Sequence, residues 1–366
     1  MVQFIIKLII IFMKDIILIT DPGSADIDDI FAILLLISYE NIRIRGIIAT
    51  HHYAEQRAKI IKLILSEHNR NDIPVYVGHD TQNGSADFLK ENSLFPKKFG
   101  IPYSYQEWND SFGSSGSLKK NEFSEKQWFP KFTQAYYRFY EEDEITKQQV
   151  NSNSDEFLIS TLKEYSKNNK ITVICIAPMH DLVTVPVELY KNMNLFLMGG
   201  SDKKIGYNWG ICPQTTKIIL EKLELSKTCA TVISSQLVTE NNIVISDSIF
   251  YYIIARYFKY EQSKISKAIF TDWLNCLDVN NVKNMCDPLT VLIALGETSC
   301  ITMPMYASVQ PGHELYHDYL EETNENPILK LEADKKKSNV EFVIGVDLNT
   351  NEMIQNIIIK MLFYKE

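Results

Sequence analysis

DIILITDPGSADIDDIFAILLLIS, residues 15–38, decides the fold. Its opening run DIILIT is rich in Ile and apolar on both faces, as in a strand covered above and below. Asp21, then Pro22-Gly23, reads as a turn, and DDIFAILLLIS from Asp28 reads as an apolar helix. Working outward, strand-like runs recur at IRIRGIIAT (42–50), IPVYVG (73–78), ITVICIA (171–177), NLFLMGG (194–200) and TCATVIS (228–234). AEQRAKIIKLILSEHN follows the second run, SDEFLISTLKEYSKNN precedes the fourth and PQTTKIILEKLEL follows the fifth, each with helical character. Strands alternating with crossover helices predict an α/β fold, a mostly parallel open sheet with helices on both faces. In such sheets ligands sit beyond the carboxyl ends of the strands.

One domain is expected over 13–366. The apolar segment MVQFIIKLIIIF (1–12) is interrupted by Lys7 and precedes a Met13 that resembles a natural start, so it is read as an N-terminal extension. The polar stretch from about 79 to 150, broken by Gly and Pro, is read as a long insertion. Its aromatic series Trp128, Phe132, Tyr136, Phe139 and Tyr140 has helical spacing, which suits a core stripe and, less well, a lid. NPILKLEA and VEFVIGVDL, late in the chain, read as further strands.

The chain has 46 acidic and 37 basic side chains, a net charge of −9 over 366 residues. That balance lacks the clustered Lys and Arg needed to track a phosphate backbone, so no nucleic-acid partner is expected. No apolar run reaches the length of about 18 residues that suggests a membrane span. Six cysteines, widely spread and without a CxxC pair, suit a reduced cytoplasmic chain. Cys175 and Cys229, lying in apolar runs, are read as core.

Asp21, Asp26, Asp28 and Asp29 crowd within nine residues at a strand's carboxyl end. One Asp would cap the helix that follows. Four repel one another unless a cation is present, and several hard oxygen ligands suit Ca²⁺ or Mg²⁺. The spacing is not that of an EF-hand: counting from Asp26, Phe31 stands where Gly is required.

TDPG followed by DDIFAIL resembles the signature of the nucleoside hydrolase family, with a longer spacing between Gly23 and Asp28 than the commonest form. The similarity continues in order through IRGIIAT, DIPVYVG, APMHDL (177–182), LFLMGG, YNWGICP (207–213) and MCDPLTV (285–291). The resemblance implies a Rossmann-like core and Ca²⁺-dependent hydrolysis of the N-glycosidic bond of a ribonucleoside or related N-riboside, giving ribose and free base, as in nucleobase salvage. It further implies that Asp21 binds the metal and takes a proton from the attacking water. Asp29 and Asp287 would be the other metal carboxylates, and the backbone carbonyl of His180, where the family has Thr, a further ligand. Asp28, Asp287 and Asn208 would contact the substrate. His51 and His52 end the second strand where the family has a ribose-contacting Asn; His52 is carried as the substrate-binding residue, and both are candidates to protonate the leaving base. The partner implied is a small nucleoside-like molecule, and a homo-oligomer is compatible with this reading.

The chain departs from the family pattern in two places. Gly206 stands where the family has Glu, and Cys286 where it has the His that protonates the base. A thiol is a poor general acid near neutral pH. These departures admit an alternative, a non-catalytic metal-containing binder of a ribosylated ligand. The short loop Ser201-Asp202-Lys203-Lys204 lacks the usual contact to the ribose 5′-hydroxyl and would admit a phosphorylated 5′ position. His313-Glu314-Leu315-Tyr316-His317 matches the HExxH of zinc proteases. Pro311-Gly312 precedes it and no third ligand is evident, so it ranks well below the glycosidase reading.

Overall fold

The structure is a computed structural model; it describes residues 13–22, 27–51, 53–79, 136, 139–200, 205–210, 212–259, 263–276, 283–310, 328–333 and 336–363. The N-terminal extension, most of the 79–150 insertion, the Lys203-Lys204 loop and the 313–317 motif lie outside the described residues.

The strands of the main sheet are β1 (Lys14–Thr20), β2 (Ile42–Ala49), β3 (Val75–Val77), β4 (Ile171–Cys175), β5 (Met193–Met198), β6 (Ala230–Ile233), β7 (Cys300–Gln310), β8 (Ile328–Glu332) and β9 (Val340–Val346). Together they form a nine-stranded sheet in the order β8-β7-β9-β6-β5-β4-β1-β2-β3. All pairings from β3 to β9 are parallel, while β9 with β7 and β7 with β8 are antiparallel. The expected α/β class is therefore met, with an antiparallel extension at one edge. The order 3-2-1-4-5-6 reverses between β1 and β4, and the carboxyl ends of those two strands frame the crevice of a doubly wound sheet.

Alternate residues of β1 feed two separate cores. Ile16 and Leu18 pack with α1 (Asp28–Ile37), α2 (Ala54–Glu67), α6 (Cys286–Leu295) and α7 (Thr350–Leu362) on one face. Ile17 and Ile19 pack with α3 (Ser154–Lys163) and α5 (Pro213–Ser226) on the other. The period-2 alternation of a strand demands this division once both faces are covered. Every residue of α1 and of α6 is buried, which explains why neither sequence shows a polar face. Lys14 Nζ donates to the carbonyls of Ala294 and Leu295 at 2.9 and 3.0 Å, tying the start of β1 to the C-terminus of α6. Tyr136 and Tyr140 lie in the first core, so the described part of the aromatic series is packing.

Cys175 is core as expected, but Cys229 is exposed, a correction to the sequence reading. It falls just before the first residue of β6, where its thiol bonds the Ser338 carbonyl at 3.2 Å; the apolar run begins to be buried only at Ala230.

β5 is followed by Gly199 and Gly200, with φ of 136° and 68°. The Trp209 indole, wholly buried, lies directly over Gly199, and a Cβ there would run into the ring. Both the left-handed backbone and the close approach require glycine. Gly199→Ala is expected to cost about 2–4 kcal/mol, combining strain with overpacking. Denaturant titration with Trp fluorescence measures it.

Candidate functional site

Two helices bring their N-termini to the end of β1. The first turn of α1 carries Asp28 and Asp29, and that of α6 carries Asp287. None of the three caps its helix: the N-cap positions are Ile27 and Met285, neither with a side-chain cap bond. Asp29 reaches back to β1, where its Oδ1 accepts from Thr20 Oγ1 at 2.6 Å and from the Asp21 amide at 3.1 Å. The Asp287 amide lies 3.5 Å from Asp28 Oδ2, joining the two helix ends. Each of the three carboxylates places an oxygen within 4.8 Å of the other two, and the side chains are only 3–5 % exposed.

Burial pushes the Asp28 carboxyl well above the usual carboxylate range, and Asp287, Cys286 and Asp29 push it further. Burial also raises Asp29, against the pull of its Thr20 and Asp21 hydrogen bonds and of the Arg57 guanidinium. Two helix N-termini aimed at one point favour negative charge but do not neutralise three carboxylates. An oxygen-only donor set, buried and mutually repelling, fits a hard divalent cation.

Asp21 follows β1 directly and is half-buried beside this cluster. Its backbone is held from α2: the buried Arg57 donates to the Asp21 carbonyl and, at 2.7 Å, to the Pro22 carbonyl. Asp181, Asp21 and Asp287 all raise the thiol of Cys175, which burial already raises. The carboxyl ends of β1 and β4 and the start of α6 therefore share one electrostatic environment.

His180 and Asp181 form the 3-10 turn after β4. The His180 carbonyl accepts the Val183 amide at 3.1 Å, which leaves one lone pair for a further partner. Burial, reinforced by His79, pulls the imidazole down to about 3, so the ring is neutral. Asp181 Oδ1 accepts from the His79 amide at 3.2 Å and Ser154 Oγ at 3.3 Å, and His79 Nε2 meets Asp155 Oδ1 at 3.0 Å. This second group, His79, Asp155 and Asp181, knits β3 to β4 below the site.

Asn208 lies in α4 (Tyr207–Gly210), after β5. Its Nδ2 donates to the Ile176 carbonyl at 2.8 Å and to Met198 Sδ at 3.3 Å, so a ligand would meet its Oδ1. Gly206 just before it has φ 77°, a conformation a Glu side chain would strain. His52 lies outside the described residues. Its neighbour His51 is not an exposed loop residue: it is 1 % exposed, with Nε2 3.1 Å from the Tyr207 hydroxyl and its ring stacked on His180 at 5.9 Å.

Sequence reasoning missed Arg57, Thr20 and the pairing of His51 with His180. Arg57 left a signal, since it sits on the same helical stripe as Ala54, Ala58, Ile61 and Leu65. An Arg on an apolar stripe must have a buried partner.

The model of the family described as inosine-uridine preferring nucleoside hydrolase matches residues 16–352. Three solved structures share the fold. An inosine-uridine preferring nucleoside hydrolase from Bacillus anthracis matches with TM-score 0.58 and 15 % identity over 95 % of this chain and 100 % of its own. A purine-preferring ribonucleoside hydrolase from Gardnerella vaginalis gives 0.57 and 14 % over 95 % and 99 %. An inosine-guanosine nucleoside hydrolase gives 0.61 and 14 % over 96 % and 98 %. No curated protein sequence is matched.

Asp28 and Asp29 titrate higher in the fold than in the unfolded chain. Their contribution to stability is thus fully present below the unfolded carboxylate value, near pH 4, and is lost as pH rises through the folded values. At neutral pH the metal-free chain carries that cost. Asp28→Asn is expected to raise the Tm of the chelator-treated protein by a few degrees and to shrink the further rise on adding Ca²⁺. Arg57→Met leaves two buried carbonyls without their donor and should cost about 2–4 kcal/mol. Calorimetric scans with and without chelator follow both.

Proposed function

The chain belongs to the inosine-uridine preferring nucleoside hydrolase family and is an N-glycosyl hydrolase; from that premise we propose that it hydrolyses a ribonucleoside or closely related N-riboside with a divalent cation, Ca²⁺, held by Asp21, Asp29, Asp287 and the His180 carbonyl. The observation that supports this reading is the buried convergence of Asp28, Asp29 and Asp287 at the end of β1.

When bound, the cation lowers the pKa of water and orients it. Asp21 takes a proton from the attacking water, whose oxygen bonds to the anomeric carbon as the bond to the base nitrogen breaks. Thr20 and the Asp21 amide keep Asp29 from swinging toward its neighbours, and Arg57 keeps Asp21 on the end of β1. Asp28 accepts from ribose hydroxyls, Asp287 contributes on the same side, and Asn208 accepts through Oδ1. Positive charge develops on the sugar as the base departs, and this group of carboxylates stabilises it. His52, outside the described residues, is carried from the family resemblance as a further substrate contact.

Cys286 is buried where the family resemblance expects an imidazole. Departure of a poor leaving group is accordingly the demanding step, because a thiol is a poor general acid.

Release of reducing sugar from a panel of purine and pyrimidine ribonucleosides tests the reading. Asp21→Ala should lower kcat by roughly 10²–10⁴-fold with the fold intact. Chelator should abolish release, and Ca²⁺ should restore it. Unchanged turnover in Asp21→Ala, or in excess chelator, rejects the assignment. p-Nitrophenyl riboside, whose phenolate leaves without a proton, should be cleaved faster than inosine; the reverse order would show that a general acid is at work.

A further inference from the structure

β2 and β4 are not neighbours, since β1 lies between them. Yet the ring of His51, after β2, stacks on that of His180, after β4, with centroids 5.9 Å apart and planes at 17°. The two imidazoles therefore lean toward each other across the end of β1, where Asp21 stands. The backbone of His51 makes this reach by adopting φ 70°, and Tyr53 follows at φ 61°. Strained backbone of this kind persists where the surrounding structure holds it, and it clusters at ligand sites. Tyr207 closes the far side, its ring edge-on to His51 at 6.0 Å and its hydroxyl 3.1 Å from Nε2.

His51 is thus held from two sides, and His180 meets it face to face. Neither Nδ1 nor Nε2 of His180 has a hydrogen-bond partner among the described residues, although the residue is 1 % exposed. A buried polar group left without a partner is costly, and native structures keep few of them. The three carboxylates of the site are buried to nearly the same degree. In the family pattern the position carries Thr, so the imidazole is this chain's own.

From this we infer that the His180 imidazole is a substrate-recognition group, whose two ring nitrogens hydrogen-bond a polar group of the substrate. The inference rests on the site proposed above. An imidazole carries two ring nitrogens for hydrogen bonding. A sugar hydroxyl meets them as donor and acceptor, and so does the lactam edge of an oxo-base, with its adjacent N–H and C=O. His51 and Tyr207 act as the positioning residues that fix the ring's orientation.

The test pairs deletion of the side chain with deletion of the ligand group. Dissociation constants, by calorimetry in Ca²⁺, and kcat/KM are measured for inosine, purine riboside and the 2′-, 3′- and 5′-deoxyinosines. The proteins are wild type, His180→Ala and His180→Asn, with circular dichroism and metal content as controls. Wild type should disfavour at least one analogue by about tenfold or more. In His180→Ala that penalty should shrink below about threefold, and His180→Asn, which again offers a donor and an acceptor, should restore part of it. A penalty on purine riboside assigns the base lactam, and a penalty on a deoxy analogue assigns that hydroxyl. The inference is overturned if wild type discriminates against none of the four analogues. It is also overturned if His180→Ala weakens all ligands by one common factor, as a structural role would. Should His180→Ala fail to fold, His180→Phe keeps the face for stacking and is read the same way. Absence of sugar release by wild type with the binding pattern intact would reject hydrolysis and leave this inference standing.

Discussion

Three carboxylates withdrawn from water within 4.8 Å of one another set the terms for the rest of the molecule. Such a group is unfavourable by itself, and nearly every nearby feature moderates the repulsion. Two helix N-termini point their dipoles at it. Thr20 and the Asp21 amide spread part of the Asp29 charge, and the Arg57 guanidinium adds a positive field from α2. What remains is an oxygen donor set that fits a small, hard cation. The site is preorganised by apolar elements: α1 and α6 have no exposed face, so neither helix can rotate its carboxylates away without breaking a core.

The topology supplies the crevice. Because the strand order reverses between β1 and β4, the connections after these strands diverge to opposite faces and leave a gap at their carboxyl ends. Asp21 borders it from β1 and His180 from β4. Unusual backbone follows the neighbouring strands: His51 and Tyr53 in the left-handed region after β2, and Gly199, Gly200 and Gly206 after β5. Trp209, seated on Gly199, shows how tightly the β5 end is packed, and its neighbour Asn208 reaches the Ile176 carbonyl with its amide.

The departures from the family pattern now have physical content. Gly206 is more than a missing carboxylate, because its φ of 77° disfavours any larger side chain there. Cys286 lies at the start of α6 against Asp28, and a thiolate there would add to the repulsion that Asp28 already feels. The imidazoles near the crevice stand instead on the β2 and β4 side, where His51 and His180 are stacked.

What the sequence by itself determined is the set of local elements and one charge anomaly. Ile-rich runs alternating with amphipathic or apolar helices are legible because burial on both faces leaves no polar periodicity in β1 and a clear one in α2. Asp28 and Asp29 stood out because helix capping needs one carboxylate, not several, and Asp287 was reachable through the order of family-like segments. The antiparallel edge was legible only in part: β8 and β9 read as strands, whereas β7, with Pro304 in its middle, carries a weak strand signal. Only the tertiary structure decided which groups meet. Asp28 and Asp287 are 259 positions apart and His51 and His180 belong to strands that never pair, so their contacts depend on sheet order and helix packing. Burial likewise belongs to the assembled fold: it separates Cys175 from Cys229, turns Arg57 from a surface charge into a tie for Asp21, and leaves the His180 ring nitrogens without a hydrogen-bond partner among the described residues.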